Sequence, residues 1–287
     1  MAKIKISTDS TSDIPAELRD ALGIAVLPLT ISLGEQEYRD GYDLAPQALY
    51  EYIESKDKLP TSSQVAPVLY TRLFEKTYEE GYDSLLHISL NGKGSGSYQG
   101  ALLASRLFYD DHPEALGRFQ IRILDSQTYS MAYGYAAVLA ARAAREGKPF
   151  SEVLSIAEDW LRNARAMFVP LNLRCVKKSG RIPAAVAFVG DALGLKPVIT
   201  FEGGEAKIVS KIRGENRVVP GLFDIVSKER RPGTPYMLVC GNNASQSEKL
   251  RTLCTEALGD APEMEYPVGC IIAINTGPNM VGIIYRR

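Results

Sequence analysis

Hydroxyl side chains gather three times in the first half of this chain, each time directly after a short apolar run. The clusters are Ser7-Thr8-Asp9-Ser10-Thr11-Ser12-Asp13 after Ile4 to Ile6, the stretch from Ser89 to Ser97 after Leu85 to Ile88, and the stretch from Asp125 to Ser130, with Ser126 second in it, after Ile121 to Leu124. A fourth group, Thr61-Ser62-Ser63, follows Pro60. A hydroxyl both donates and accepts, and a helix N-terminus adds free N–H groups at the positive end of its dipole. Together they suit a small anionic head group, carboxylate or phosphate. One Ser, Thr or Asp is what an ordinary helix N-cap uses. Clusters of five or six such side chains exceed that need.

No equally clear catalytic base accompanies the hydroxyls. A serine nucleophile needs an adjacent base held by a third group, and the only histidines are His87 and His112. His87 lies in an apolar run and reads as a satisfied core residue; His112, in Asp110-Asp111-His112-Pro113, reads as an exposed helix end. There is no Gly-x-Ser-x-Gly elbow. The glycine-rich run Gly92-Lys93-Gly94-Ser95-Gly96-Ser97 could cradle a phosphate through its amides, yet it lacks the P-loop spacing. Cys175, Cys240, Cys254 and Cys270 show no Cys-x-x-Cys spacing and no nearby His, so no metal site is expected and they read as core filler.

The elements that position these residues alternate. The patterns predict strand 3–9, helix 15–22, strand 24–31, helices 46–56 and 66–80, strand 84–89, helix 97–109, strand 119–125 and helix 129–146. Strands alternating with helices of this length argue a parallel α/β sheet. Its strand carboxyl ends lie on one edge, where the hydroxyl loops would converge and where ligands bind in such sheets. After a helix over 151–167 the texture changes. Strands are expected at 168–170, 196–201, 206–212, 236–240, 264–266, 269–274 and 280–285. The pair around Glu202-Gly203-Gly204-Glu205 reads as an antiparallel hairpin. The expectation is therefore two domains, an N-terminal Rossmann-like α/β domain over 1–160 and a C-terminal α+β domain with a largely antiparallel sheet over 161–287, with the ligand between them.

Length and charge set the outer bounds. The 287 residues suffice for two domains, and 33 basic against 34 acidic residues leave no global pull toward nucleic acid or anionic membrane. No run approaches the roughly 18 apolar residues of a membrane span. The start, Met1-Ala2-Lys3-Ile4-Lys5, lacks the apolar core of a signal peptide, so the cytoplasm is the expected compartment.

Several motifs, taken in order, resemble the DegV family, whose studied members are bacterial fatty-acid-binding proteins. They are Ile6-Ser7-Thr8-Asp9-Ser10-Thr11-Ser12-Asp13-Ile14-Pro15, Thr61-Ser62 after Pro60, Ser95-Gly96-Ser97-Tyr98-Gln99, and Asp125-Ser126 with Ser130-Met131 before Gly134. Later come Val176-Lys177-Lys178-Ser179-Gly180-Arg181-Ile182, Leu195-Lys196-Pro197 and Thr276-Gly277-Pro278. The resemblance implies the two-domain EDD fold and one buried fatty acid, with the acyl chain in an apolar tunnel and the carboxylate held by hydroxyls. It implies no cofactor and no chemistry of the protein's own. A separate fatty acid kinase would receive the carboxylate and make acyl-phosphate for phospholipid synthesis.

Carried over by position, Thr61 and Ser62 look like the family's carboxylate-binding step and Ser95 like the serine of its Ser-Gly-Thr-Tyr-Gln segment, with Ser97 replacing the Thr. Gly96, Ser10, Ser126 and Thr276 complete the expected ligand contacts, and Arg181 is expected to brace the head group or its neighbouring loop. The loop 89–94 is longer than the family's. Asn275 stands where the family commonly has a head-group His, keeping a donor and losing the titratable charge. Asn279 replaces a Gly after Pro278, as a residue tolerant of a left-handed turn. The apolar segment 182–193 reads as a packed helix, a tunnel wall or a lid. Two rival functions remain, a serine-dependent hydrolase acting on an acyl substrate and a phosphate-ligand binding module.

Overall fold

A computed structural model describes residues 3–182 and 194–287. In chain order its elements are β1 (Ile4–Asp9), α1 (Ala16–Leu22), β2 (Ala25–Leu27), β3 (Thr30–Leu33), β4 (Gln36–Arg39), α2 (Pro46–Ser55), β5 (Thr61–Ser63), α3 (Pro67–Glu79), β6 (Ser84–Ser89), α4 (Ser97–Asp111), β7 (Gln120–Asp125), α5 (Met131–Arg145) and α6 (Phe150–Asn163). They continue with β8 (Ala164–Pro170), α7 (Arg174–Ser179), β9 (Leu195–Glu202), β10 (Glu205–Arg213), α8 (Val218–Glu229), β11 (Tyr236–Cys240), α9 (Ala244–Leu258), β12 (Met264–Pro267), α10 (Cys270–Thr276) and β13 (Met280–Arg286). Most of the segment 182–193, read from sequence as a helix, wall or lid, lies outside the described residues. The chain divides into two compact units, Met1–Ile31 with Arg39–Tyr42 and Ser62–Arg162, and Ser32–Tyr38 with Asp43–Thr61 and Asn163–Arg287. A three-stranded sheet has the order β4-β3-β5.

The first unit is built on a parallel sheet in the order β2-β1-β6-β7. Its central strand β6 is buried at every residue, as expected of a parallel strand covered on both faces. Pro28, which has no N–H to donate, ends the pairing of β2, so the run read as one strand over 24–31 divides and β3 joins the three-stranded sheet. Helices α3 and α4 pack through aromatic edges: Phe108 lies 6.4 Å from Phe74 at 78° and 5.8 Å from Tyr78 at 79°. Each such pair adds about 0.5–1.5 kcal/mol beyond area burial. Helix α5 is alanine-rich, which favours helix and lets it lie buried nearly all round. Trp160 of α6 covers it, its Nε1 donating to the Ala132 carbonyl at 2.9 Å.

Gly134 explains how closely α5 approaches the first hydroxyl loop. A Cβ there would lie 2.3 Å from the Ser12 carbonyl oxygen. Gly134→Ala gains about 1 kcal/mol of helix propensity, but backbone must move to admit the methyl, and overpacking of this kind costs about 1–3 kcal/mol. The net result should be a loss of stability, read as a lower urea midpoint at unchanged m-value. A midpoint at or above the parent's would contradict that packing.

The second unit carries a six-stranded sheet in the order β10-β9-β8-β13-β11-β12. Every pairing is antiparallel except β11 with β12. The hairpin between β9 and β10 turns through Gly203 and Gly204, both at positive φ, as the sequence predicts. Helices α8 and α9 cover one face over a core that includes Val169, Val198, Leu222, Leu238, Leu250 and Ile283. The segment 43–61 is fastened within this unit. Arg174 donates to the carbonyls of Ile53 and Asp57, each at 2.8 Å, and the Tyr50 hydroxyl donates to the Val268 carbonyl.

Three sequence expectations fail here. The run 269–274, expected as a strand, is helix α10. Its Asn275 and Thr276 side chains donate to the carbonyls of Ile271 and Ile272 one turn back, and glycines flank both ends. A short apolar run of this kind fits either element, and periodicity alone does not separate them. The helix expected to continue to 167 ends at Asn163, because residues 164–170 pair with β13. In the turn after α10 the positive φ belongs to Gly277, and Asn279 has no left-handed conformation.

Candidate functional site

The three hydroxyl loops do meet at the carboxyl edge of the parallel sheet. Register puts Thr8 beside Ile88 and Ser89 beside Asp125, so β1, β6 and β7 end together. Backbone and side-chain bonds then join the loops. Leu90 N–H donates to Asp9 Oδ2 at 2.8 Å, Asn91 N–H to the Thr128 carbonyl at 3.1 Å, and Gly92 N–H to Asp125 Oδ1 at 2.9 Å. Ser126 N–H donates to the Ser89 carbonyl and Ser130 N–H to the Thr11 carbonyl, both at 3.1 Å. The Tyr133 hydroxyl, on α5, reaches Asp9 Oδ1 at 2.7 Å.

Ser95, Gly96 and Ser97 form the entry to α4. Ser97 Oγ is buried, accepts from Val65 N–H at 3.2 Å and lies 3.0 Å from Ser95 Oγ, which itself accepts from Ser97 N–H at 3.3 Å. Either hydroxyl can donate in this pair; when Ser97 does, the half-buried Ser95 O–H is open to an outside acceptor. A Cβ at Gly96 would collide with the Gln64 side chain, so the segment after β5 lies directly against this loop. Ser62 lies inside β5, half-buried and two residues before Gln64, and Thr61 before it is exposed. Within the first unit, then, Gln64 and Val65 meet Gly96 and Ser97 directly, and Ser62 lies two residues before them in the chain.

The other predicted residues have local partners. Ser10 Oγ accepts from Leu29 N–H at 3.0 Å, and Ser126 closes its own turn by donating to the Thr128 carbonyl at 3.2 Å. In the second unit the Asn275 amide donates to the Ile271 carbonyl at 2.7 Å and Thr276 is buried, its hydroxyl 3.0 Å from the Ile272 carbonyl. Arg181 is exposed and folds back on the Ser179 carbonyl at 2.9 Å.

Electrostatics at the edge centre on Asp9, a residue the sequence reading left among the hydroxyls. It is fully buried, and burial pushes its carboxyl up to about 6 despite the bonds from Tyr133, Leu90 and Thr11 that favour the anion. Its sequence signal was an acid at the last position of the expected strand 3–9. His87 is also sealed. Its Nδ1 lies 3.0 Å from Ser7 Oγ, Tyr70 stands edge-on at 5.3 Å, and burial pushes its pKa down to about 3. The pair is neutral and without solvent access, which does not make a nucleophile and base. The expectation of a satisfied core histidine is half right, since Nε2 has no protein partner. Ser12 and Ser89 hydroxyls are likewise buried without one.

Backbone strain collects on the same loops. Among the described residues the non-glycine residues at positive φ are Asp13, Gln127 and Ser130, and Ser130 combines φ 57° with ψ −153°, a region left mostly to glycine. Its hydroxyl donates to Asp13 Oδ2 at 2.5 Å, which helps hold the conformation.

A cleft of about 640 Å³ at the amino edge of the sheet is lined by Lys3, Lys5 and Arg145 with Tyr82. These cations donate to the carbonyls of Glu80, Gly23 and Ala21 at the ends of α3 and α1. Helix C-termini attract cations, so this charge serves the helices. The thiols follow the core reading: Cys175, Cys254 and Cys270 are buried, and burial pushes Cys240 and Cys254 up to about 12. Among the described residues no group of three His, Cys, Asp or Glu side chains is placed to hold a metal, and no helix is long and apolar enough to cross a membrane.

Known proteins match along the whole chain. The family model described as "Uncharacterised protein, DegV family" covers residues 3–287. A DegV domain-containing protein of Clostridium perfringens is 31% identical over 286 residues, 99% of each chain. A solved DegV family protein from Thermus thermophilus, reported for its fatty acid binding, superposes with a TM-score of 0.88 at 29% identity, covering 99% of this chain and 100% of its own. DegV of Bacillus subtilis, described as a fatty acid binding protein, superposes at 0.85 with 24% identity, covering 99% of each chain. With a parallel sheet and a largely antiparallel one, and family motifs in order along its whole length, the chain belongs to the DegV family.

Proposed function

We propose that this protein binds a single long-chain fatty acid and presents its carboxylate to a fatty acid kinase. The observation that carries the reading is the Thermus thermophilus relative, 29% identical over 99% of this chain, whose reported property is fatty acid binding. The half-buried Ser95 hydroxyl, able to donate outward when Ser97 donates to it, supports it. In this reading Ser95 and the Thr61-Ser62 step take the carboxylate oxygens, with Gly96 and Ser97 shaping the entry to α4. Ser10 and Ser126 build the loops around them. Arg181, Asn275 and Thr276 enter on the family resemblance.

The acyl chain would occupy an apolar tunnel, where each buried CH₂ contributes about 0.8 kcal/mol. The protein would act as a carrier, without cofactor and without chemistry of its own. The sealed Ser7 and His87 pair lends nothing to a hydrolase.

A kinase assay tests the presentation step. A bacterial fatty acid kinase that accepts another DegV protein is given ATP and this protein loaded with oleate, and acyl-phosphate is trapped as the hydroxamate. Hydroxamate well above that from kinase and free oleate is expected. A yield equal to that control, with the other DegV protein active in parallel, would overturn the kinase partnership.

A further inference from the structure

We propose that Asp9 and Asp125 are positioning residues that clamp the Ser95 loop from its two neighbours, so that the loop reads a carboxylate. The proposal rests on the reading of Ser95 as a head-group contact. Residues 90–96 contain Gly92, Gly94 and Gly96, and a glycine-rich segment has much conformational freedom to lose on ordering. Left to itself it would not hold a hydroxyl at a fixed point. Asp9, at the end of β1, accepts from Leu90 N–H at 2.8 Å, and Asp125, at the end of β7, accepts from Gly92 N–H at 2.9 Å. The middle loop is thus gripped from both flanking strands by bonds to carboxylates, which are stronger than neutral ones.

Each clamp is itself fastened. Asp9 Oδ1 takes Thr11 N–H at 3.1 Å and the Tyr133 hydroxyl at 2.7 Å, while Asp125 Oδ1 also takes Gln127 N–H at 3.0 Å. Gly92 lies so close to Asp125 that a Cβ would stand 2.9 Å from Oδ2, and one at Gly94 would strike the Tyr129 hydroxyl. The loop is therefore laid along the third hydroxyl loop up to the residue before Ser95. Neither carboxylate need touch the ligand.

The two clamps differ in a way an experiment can use. At Asp125 one oxygen, Oδ1, accepts both amides, so an asparagine oxygen can replace it. At Asp9 the bonds divide between both oxygens, so in Asp9→Asn an amide NH₂ must face one of the donors.

Oleate and oleyl alcohol affinities are compared for the parent protein, Asp125→Ala, Asp125→Asn, Asp9→Asn, Tyr133→Phe and Ser95→Ala, each first shown to be folded by its thermal transition. Tyr133→Phe removes a single bond and guards against an unfolded Asp9 variant. A bond to a charged group is worth ~10–150-fold in binding, and mispositioning Ser95 forfeits part of that. The acid-over-alcohol preference should therefore fall by ~10-fold in Asp125→Ala and Asp9→Asn and by ~3-fold in Tyr133→Phe, and recover in Asp125→Asn. Folded Asp125→Ala and Tyr133→Phe proteins that keep the parental preference, or lose acid and alcohol alike, would show purely structural carboxylates. An unchanged preference in Ser95→Ala would remove the head-group reading itself and the clamp with it.

Discussion

The unfolding free energy of the parent protein, measured against Asp9→Asn, should fall by about 3 kcal/mol as pH rises from about 3 to about 7. Asp9 is fully buried, and its carboxyl is pushed from 3.8 up to about 6 chiefly by loss of solvent. The groups facing it are Tyr133 and Thr11, bonded to it, the Leu90 amide, and the more distant Tyr70; none carries positive charge. In the unfolded chain the proton leaves near 3.8, while the folded protein keeps it to about 6. Between those values the folded state binds more protons, so its advantage is complete below the lower value and is lost as pH rises through the upper one. Each unit of difference is worth about 1.4 kcal/mol, which sets the total. Urea midpoints at half-unit steps of pH read the effect, and parallel curves for the two proteins would place Asp9 in a solvated or charge-compensated setting.

Thr61→Ala and Ser95→Ala should each weaken oleate binding by about 1.5–3 kcal/mol, the usual worth of a hydrogen bond to a charged group. Binding of oleyl alcohol should barely change, because the tail is untouched and the neutral head group gains little from these donors. Stability should change little as well, since Thr61 is exposed and Ser95 only half-buried. Equal losses for acid and alcohol would mean that these hydroxyls act on the tail or on the fold.

Much of the architecture was legible because the patterns are local. The strand, hydroxyl cluster and helix order of the first half gave the parallel sheet and the meeting of its loops, and Gly203-Gly204 gave the hairpin of the second sheet. What escaped depends on tertiary context. Residues 164–167 carry a helix-compatible sequence and become strand only because β13 offers them a ladder. The run before Asn275 has β-branched residues suited to a strand, yet Gly269, Gly277 and the back-bonding side chains make it α10. Helices α8 and α9 went unassigned beside more conspicuous strands, and the covering of the second sheet was invisible without them.

At the site, residue types were readable and their tasks were not. Ser95 and Ser97 stood out as hydroxyls, but only the fold shows Ser97 buried and accepting from Val65 while Ser95 stays half-buried beside it. Ser10 and Ser126 carry the same chemistry and spend it on their own loops. Asp9 looked like one more capping residue, because nothing in a sequence reports that Leu90, Thr11 and Tyr133 will converge on it.

The most direct test of the central claim is native mass spectrometry of the protein purified from a bacterial host, followed by solvent extraction and analysis of the released lipid. A tunnel able to bury a long acyl chain is costly to leave wet, so about one fatty acid per chain is expected to survive purification or, after delipidation, to be taken up from added oleate or palmitate. A homogeneous ligand-free protein that takes up neither acid would contradict the account.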